Sequence, residues 1–316
     1  MANAIFTALH FHNEEAAFEH VERLLWPNGP ICPHCGATEE HVGRLIGKSS
    51  RIGLRKCYAC RETFTVRMST IFEDSHLALH LWLQVIHLMC ASKKGIATRQ
   101  IQRMLNCSMK TAWFLTHRIR EAMKDGGLEP LGGEGKTVEA DETFVGGKEK
   151  NRHRSKRAKT HLGGSWGKET VLSLVERDGR VRSMHVASVT AEQLRPVLVA
   201  HIHADSKLYT DDAGQYRHMH RDFAHEFVNH GAEEYVRGKV HTNTVENYFS
   251  ILKRGVTGCY FHVSEAHLHR YLAEFDFRYS NREKLGVDDV SRTELAVQGM
   301  KGKRLTYQKS CRAACA

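Results

Sequence analysis

The 316-residue chain is poor in proline, with five residues, and its sequence contains no apolar run of the roughly 18 residues that a membrane-spanning helix needs. Its first residues lack the basic and then apolar pattern of a secretory signal. Hydrophobic residues make up 41% and charged residues 26%, which is typical of a globular protein and excludes a disordered or fibrous one. We therefore expect no membrane partner and a cytoplasmic location.

Positive charge is in surplus. Lysine and arginine number 46 against 36 acidic residues, giving a formal net charge of +10 with 22 histidines counted as neutral. Such a surplus favours a polyanionic partner, although some basic proteins have none.

The cysteines indicate a metal site. Of nine cysteines, four form two Cys-x-x-Cys pairs, Cys32 with Cys35 and Cys57 with Cys60. An odd total with paired clusters fits a reducing compartment and argues against a disulfide framework. Two such turns can complete a tetrahedral structural site, so we predict one Zn²⁺. A redox dithiol would not need two pairs. The zinc unit could supply folding energy alone or also touch a partner.

The next segment has the pattern of a helix-turn-helix. A helix over 76–91 is followed by a short helix over 96–105, a break at 106–108 and a longer helix over 109–123. On the last of these helices we expect Lys110, Arg118 and Arg120 to face DNA. The alternative is an ordinary helical hairpin with solvated charges. A glycine-rich stretch places a boundary near residue 130.

The remainder alternates strands and helices. Strands are predicted at 137–145, 169–175, 181–189, 206–211 and 224–228, with helices over 192–202 and after Thr242. This order predicts an α/β, ribonuclease H-like core, a mixed five-stranded sheet with flanking helices. A basic run over 148–161 is expected to be a loop that contacts DNA through Lys148, Arg152, Arg154, Lys156 and Arg157.

Three carboxylates stand at informative positions in that order: Asp141, Asp211 and Glu246. The first and fourth strands of such a core are neighbours, which would bring the two aspartates together, and the later helix could add Glu246. Oxygen ligands suit Mg²⁺ or Mn²⁺, two per active site, for displacement at phosphorus. Lys253, two helical turns after Glu246, could hold a phosphate.

Other residues compete for these roles at the level of sequence. Asp212 could replace Asp211, Glu139 or Glu142 could replace Asp141, and Asn243 or Asn247 could replace Glu246. Alternation along the first strand places Glu142 on the face opposite Asp141.

The chain resembles the DDE transposases of bacterial insertion sequences, in the ISXO-like group with an N-terminal zinc ribbon. The similarity covers about residues 10 to 310. Its motifs, besides the cysteine pairs, are Trp26-Pro27-Asn28-Gly29, Ala140-Asp141-Glu142-Thr143, Thr210-Asp211-Asp212, His241-Thr242-Asn243-Thr244-Val245-Glu246 and Leu252-Lys253-Arg254-Gly255.

The resemblance implies a magnesium-dependent enzyme of the bacterial cytosol, associated with the nucleoid. It would bind the inverted-repeat ends of a mobile element, cleave a strand with water and join the freed 3′ hydroxyl to target DNA. Asp141, Asp211 and Glu246 would be the metal-binding triad, with Lys253 beside them. Pairing two double-stranded ends implies a dimer or larger homo-oligomer. A zinc-ribbon regulator or a structure-specific nuclease are the alternatives.

These predictions divide the chain into four segments. They are a helix and zinc ribbon over 1–70, a helix-turn-helix region over 71–130, a catalytic domain over 131–285 and a C-terminal tail over 286–316.

Overall fold

The structure of the protein is a computed structural model, and it describes residues 4–47, 50–126, 129–147, 153–156 and 167–305. It consists of two compact units. The first comprises Met1–Ala91, Thr98–Met123 and Asp289–Ala316, and the second comprises Ser92–Ala97 and Lys124–Asp288. Within the described ranges, no helix is long and apolar enough to cross a membrane.

The first unit begins with a helix and a small ribbon. Its elements are α1 (Glu14–Leu25), β1 (Val42–Arg44), β2 (Arg55–Cys57) and β3 (Thr63–Phe64). The three strands form an antiparallel sheet in the order β1-β2-β3. Arg55 of β2 donates to the carboxylate of Glu22 on α1, with Nη2 2.6 Å from Oε2. Helix α1 is thereby tied to the ribbon by a two-pronged ion pair.

Three helices follow in the same unit: α2 (Leu79–Ala91), α3 (Thr98–Leu105) and α4 (Met109–Ala122). Helix α2 is capped from a distance, because both carboxylate oxygens of Glu14 accept the first amides of the helix. Helix α4 begins at Ser108, whose Oγ accepts the N–H of Thr111 at 3.0 Å. The short helix, three-residue break and longer helix are those predicted from sequence.

The second unit is built on a five-stranded mixed sheet. Its strands are β4 (Thr137–Val145), β5 (Glu169–Glu176), β6 (Val181–Val186), β7 (Lys207–Asp211) and β8 (Ala224–Val228), in the order β6-β5-β4-β7-β8. Strand β5 runs antiparallel to both β4 and β6, while β7 runs parallel to β4 and β8 parallel to β7. The helices are α5 (Ala191–His201), α6 (Asn243–Gly255) and α7 (Glu265–Ser280). The fold is the predicted ribonuclease H-like core.

The two faces of this sheet bury different side chains. Val138 and Ala140 of β4 pack with Leu194 and Leu198 of α5. On the opposite face, residues of β4 and β5 pack with α6 and α7 through Val145, Val171, Val175, Val245, Leu252 and Leu272. Because successive strand residues alternate between faces, odd-numbered residues of β4 face α6.

The last helix, α8 (Asp289–Gln298), corrects the prediction of a C-terminal tail. It belongs to the first unit and packs on α2. Arg292 donates to the carbonyl of Cys90 at 3.0 Å, and Thr293 is 2.9 Å from Nδ1 of His87. The zinc ribbon, the helix-turn-helix and α8 therefore form one unit, whereas the sequence suggested three separate segments.

Candidate active site

Strand pairing brings the two aspartates side by side on one face of the sheet. Parallel pairing of β4 with β7 aligns Thr137 with Lys207 and Glu139 with Tyr209. The same register, continued by two residues, aligns Asp141 with Asp211. Both are odd-numbered members of their strands, on the face covered by α6. The expected neighbourhood of the first and fourth strands is thus present.

Glu246 lies in the first turn of α6, and a buried carboxylate fixes that turn to the sheet. Oε2 of Glu139, in β4, accepts the N–H of Thr244 at 2.8 Å and the N–H of Val245 at 3.0 Å. Oε1 accepts Nε of Arg177 at 2.6 Å. A fully buried acid at a helix N-terminus satisfies free amides and the helix dipole together. Glu139 therefore positions Glu246 and does not compete with Asp141.

Electrostatics join the acids into one group. Burial, followed by the like charges of Glu142 and Asp211, raises the pKa of Asp141 to about 8, and the charge of Glu246 adds to the rise. Burial also raises the pKa of Asp211. The N–H of Ala213 donates to Oδ1 of Asp211 at 3.1 Å, and this hydrogen bond partly offsets the rise. Such mutual repulsion is relieved when a cation binds between the carboxylates.

Glu142 and Asp212 occupy different surroundings from the two aspartates. Glu142 points to the α5 face, where its carboxylate accepts hydrogen bonds from the hydroxyl of Tyr216 and the amide of Gln215. Asp212 is exposed just past the end of β7. The opposite-face prediction for Glu142 agrees with these contacts.

His230 is a site residue that sequence reasoning missed. It lies two residues past the end of β8, and its Nε2 lies 4.0 Å from Oε1 of Glu246. This buried nitrogen has no hydrogen-bond partner among the residues described. Its charge would lower the pKa of Asp211, so it lies near both acids. The signal was available, because the carboxyl ends of parallel β7 and β8 meet at one sheet edge.

The three acids do not form a closed cluster of ligand atoms among the described residues. Among the described residues, two groups bring three or more potential ligand atoms within 4.8 Å of one another, the four cysteines and the set Glu169, His185 and Glu265. The three acids are not such a group. Two divalent ions in a phosphoryl-transfer site lie about 4 Å apart, so their outer ligands are more widely separated. Asp141 and Asp211, whose pKa values are raised by burial, and the exposed carboxylate of Glu246 offer oxygen ligands of the kind that divalent cations bind.

The four predicted zinc ligands converge in the first unit. Sγ of Cys32 is 3.7 Å from Sγ of Cys60, and Sγ of Cys35 is 3.6 Å from Sγ of Cys57. A tetrahedron with Zn–S bonds of about 2.3 Å has S–S edges of about 3.8 Å, so the cluster fits one structural Zn²⁺. The N–H of Cys60 helps lower the pKa of the Cys57 thiol to about 7, whereas burial and the neighbouring thiols raise the pKa of Cys35. A bound zinc ion would favour the thiolate form of the cluster.

The predicted basic residues are placed unequally. Three of them are exposed: Lys253 on α6, Lys110 in the first turn of α4, and Arg154 in a short turn over Arg154–Lys156. Lys148, Arg152 and Arg157 lie outside the described residues, as does the side chain of Lys156. On α6, Asn243 and Asn247 are exposed beside Glu246.

The expectation that Arg118 and Arg120 face DNA needs correction. Both are buried, at 4% and 0% exposure. Arg118 donates to the carbonyls of Glu73 and Leu305, and its guanidinium lies 4.8 Å from the ring centroid of Phe114. Arg118 therefore ties α4 to other segments of the first unit. Both arginines lie on a covered side of α4, which the sequence suggested was free.

Comparison with known proteins agrees with this architecture. Residues 130–280 match the model of the ISXO2-like transposase domain, and residues 12–63 match that of the transposase zinc-ribbon domain. The chain is also 30% identical, over 289 residues, to the uncharacterized protein in transposable element ISH50 of Halobacterium salinarum. That similarity spans 88% of this chain and 95% of the relative. The chain belongs to the ISXO2-like transposase family.

The matched ranges contain both candidate metal centres of this transposase. Asp141, Asp211, Glu246 and Lys253 fall within the ISXO2-like domain, and the four cysteines fall within the zinc ribbon. The family is one of metal-dependent DNA-cleaving enzymes, so its substrate is DNA. The resemblance stated from the sequence motifs is confirmed. Helices α2–α4 and α8 lie outside both matched ranges.

Proposed function

We propose that the protein binds the inverted-repeat ends of an insertion sequence, cleaves a strand there and transfers the end to target DNA. The observation that carries the proposal is the register that aligns Asp141 with Asp211 beneath the helix bearing Glu246. A DNA-binding regulator would have no use for acids brought together at a cost in mutual repulsion.

Asp141, Asp211 and Glu246 would hold two divalent ions, Mg²⁺ or Mn²⁺. When bound, these ions supply Lewis acidity at the phosphate and lower the pKa of the attacking water. Asp141 must lose its proton to act as a ligand, and its raised pKa makes that loss coincide with metal binding. Tyr216 and Gln215 keep Glu142 on the other face, which leaves Asp141 turned toward the site.

The arrangement of α6 adds positioning to charge. Glu139 and Arg177 fix its first turn, so Glu246 keeps one place relative to β4. Lys253 is exposed two turns further along, where its ammonium could meet a DNA phosphate. Lys110 and Arg154 are the described basic residues that we propose as further DNA contacts. Synapsis of two ends calls for at least a dimer.

The proposal is tested with Asp211→Ala, assayed on a duplex that carries the element's terminal repeat. Cleavage and joining should fall at least about a thousandfold, because several kcal/mol of transition-state stabilisation are lost, while binding of the end persists. The matched control is Asp212→Ala, which removes the exposed neighbouring acid and should retain activity. Unchanged cleavage by Asp211→Ala would contradict the proposal. Binding that ignores the terminal-repeat sequence would favour a structure-specific nuclease.

A further inference from the structure

A strained turn follows the helix that carries Glu246. Helix α6 ends in a π-helical turn over Val256–Tyr260, and the next residue, Phe261, has φ 60° and ψ −40°. The N–H of His262 donates to the carbonyl of Tyr260 at 2.6 Å. A bond across three residues with positive φ at the centre is the rare form of γ-turn, which is costly for a residue other than glycine.

The residue at the centre of this turn exposes an aromatic ring. Phe261 is 79% exposed, and among the large hydrophobic residues in the described ranges only Ile46, at 90%, exceeds it. A phenylalanine in solvent forgoes the stabilisation that burial of its side chain would contribute. Backbone strain and an unburied ring therefore coincide at one residue, and neither helps the fold.

The preceding residue holds the turn in place. The hydroxyl of Tyr260 donates to Oε1 of buried Glu274 at 2.6 Å, and its ring centroid is 4.8 Å from that of Tyr271. Gly95 passes so close that a Cβ there would lie 1.9 Å from the Tyr260 hydroxyl. Because Tyr260 is anchored inward, Phe261 is forced outward, and the ring is presented by a fixed element.

Exposed basic residues flank the turn in the sequence. Lys253, Arg254 and His262 are exposed, and the sequence from 253 to 262 contains no acid. The backbone of Lys94, an exposed residue, passes the end of α6, where its carbonyl would be 2.7 Å from a Cβ at Gly255. The nearest acid along the chain, Glu265, is grouped with His185 and Glu169. An exposed aromatic ring flanked by basic residues suits a nucleotide, because the basic side chains can contact its phosphate and the ring can stack on its base.

We propose that Phe261 stacks on an unstacked base of the DNA substrate, away from the phosphate held by the acids. From Glu246 to Phe261 the chain advances roughly 20 Å along the axis of α6, which is about six base steps of duplex DNA. The inference rests on the proposed function, since it takes DNA as the substrate. The contact of Phe261 would be a second point of binding, and its strength would depend on whether the base is unstacked and not on the charge of the strand.

The test measures binding of a duplex of about three helical turns that carries one 2-aminopurine in a mismatched pair. Phe261→Ala should weaken binding by about five- to hundredfold and abolish the change in 2-aminopurine fluorescence, with the salt dependence of binding unchanged. Phe261→Trp should retain both signals, whereas Phe261→Leu should behave like Phe261→Ala. Phe227→Ala, at another exposed aromatic of the same unit (45% exposed), is the matched control and should bind as the wild type does.

A structural role would give a different pattern. Phe261→Gly should relieve the positive φ, so its melting temperature should equal or exceed that of the wild type while DNA binding falls. Equal binding by the wild type and Phe261→Ala, or rescue by leucine as well as by tryptophan, would overturn the inference and leave the proposed function intact. A change in oligomeric state in Phe261→Ala would also overturn it, in favour of contact with a second copy. A wild-type protein that binds no DNA would refute the proposed function itself.

Discussion

The two candidate metal centres of this chain differ in how their ligands are held. In the ribbon, four sulfurs from two short turns lie within 4.8 Å of one another and close a tetrahedron. In the second unit, three carboxylates come from two strands and a helix, and their oxygens do not all lie within 4.8 Å of one another. A closed set leaves no position for substrate, whereas an open set of half-buried acids does. The difference separates a centre that stabilises structure from one that can perform chemistry.

Removal of zinc should give the largest effect and should act on the first centre alone. Structural zinc contributes on the order of 10 kcal/mol to a small ribbon, so Cys57→Ser should unfold it. Trp26, whose ring centroid lies 5.9 Å from that of Phe64 beside the cysteines, offers a fluorescence signal for the loss. Asp211→Asn serves as the control and should keep both its zinc and the Trp26 signal. A folded ribbon in zinc-free Cys57→Ser would erase the distinction between the two centres.

Two acids on β4 allow the same contrast inside one strand. Glu139→Ala leaves Arg177 without its buried partner and should destabilise the protein by about 3–5 kcal/mol in urea unfolding. Asp141→Asn, two residues away, removes a repelled carboxylate and should not destabilise the metal-free protein. If Asp141→Asn proved as destabilising as Glu139→Ala, Asp141 would be a structural acid.

The pH dependence of stability should follow the same logic. Because the folded-state pKa of Asp141 is raised to about 8 from an unfolded value near 4, folding takes up a proton between these values. In magnesium-free buffer this acid therefore contributes stability that is fully present below about pH 4 and is lost as pH rises through about 8. Asp141→Asn should flatten that decline in urea midpoints measured across the range. A decline of equal slope in the variant would assign it to other groups.

Surface contacts should give the smallest effect. Lys110→Ala removes an exposed charge from the first turn of α4, and we expect the slope of log affinity for DNA against log salt to fall by about 1. Arg118→Ala would not be a comparable test, because that residue is buried and its loss would disturb the unit. An unchanged slope for Lys110→Ala would remove α4 from the proposed DNA surface.

Sequence predicted those features that depend on local pattern. Cysteine spacing indicated the ribbon, and alternation indicated strand β4 with Asp141 and Glu142 on opposite faces. The alignment of Asp141 with Asp211 followed from the order of strands, since that order sets the neighbours in a ribonuclease H-like sheet. Each of these features can be predicted from a few neighbouring residues or from a known order of strands.

Features that depend on distant partners were not predicted. The burial of Arg118 and Arg120 could not be read from α4 alone, since α8, from the far end of the chain, packs in the same unit. Glu139 looked like a rival of Asp141 because its partners Arg177 and Thr244 lie far away in sequence. His230 was missed because a single histidine in a loop carries no periodic signal, although its position just after β8 could have indicated it.

The central claim is that Asp141, Asp211 and Glu246 hold the divalent ions used in strand cleavage. Its most direct test counts Mn²⁺ bound to the zinc-loaded protein on end DNA, by electron paramagnetic resonance, for the wild type and for Asp211→Asn. We predict two ions per site in the wild type and a loss of bound Mn²⁺ in Asp211→Asn, with zinc content unchanged. The same number of Mn²⁺ ions in both proteins would contradict the account.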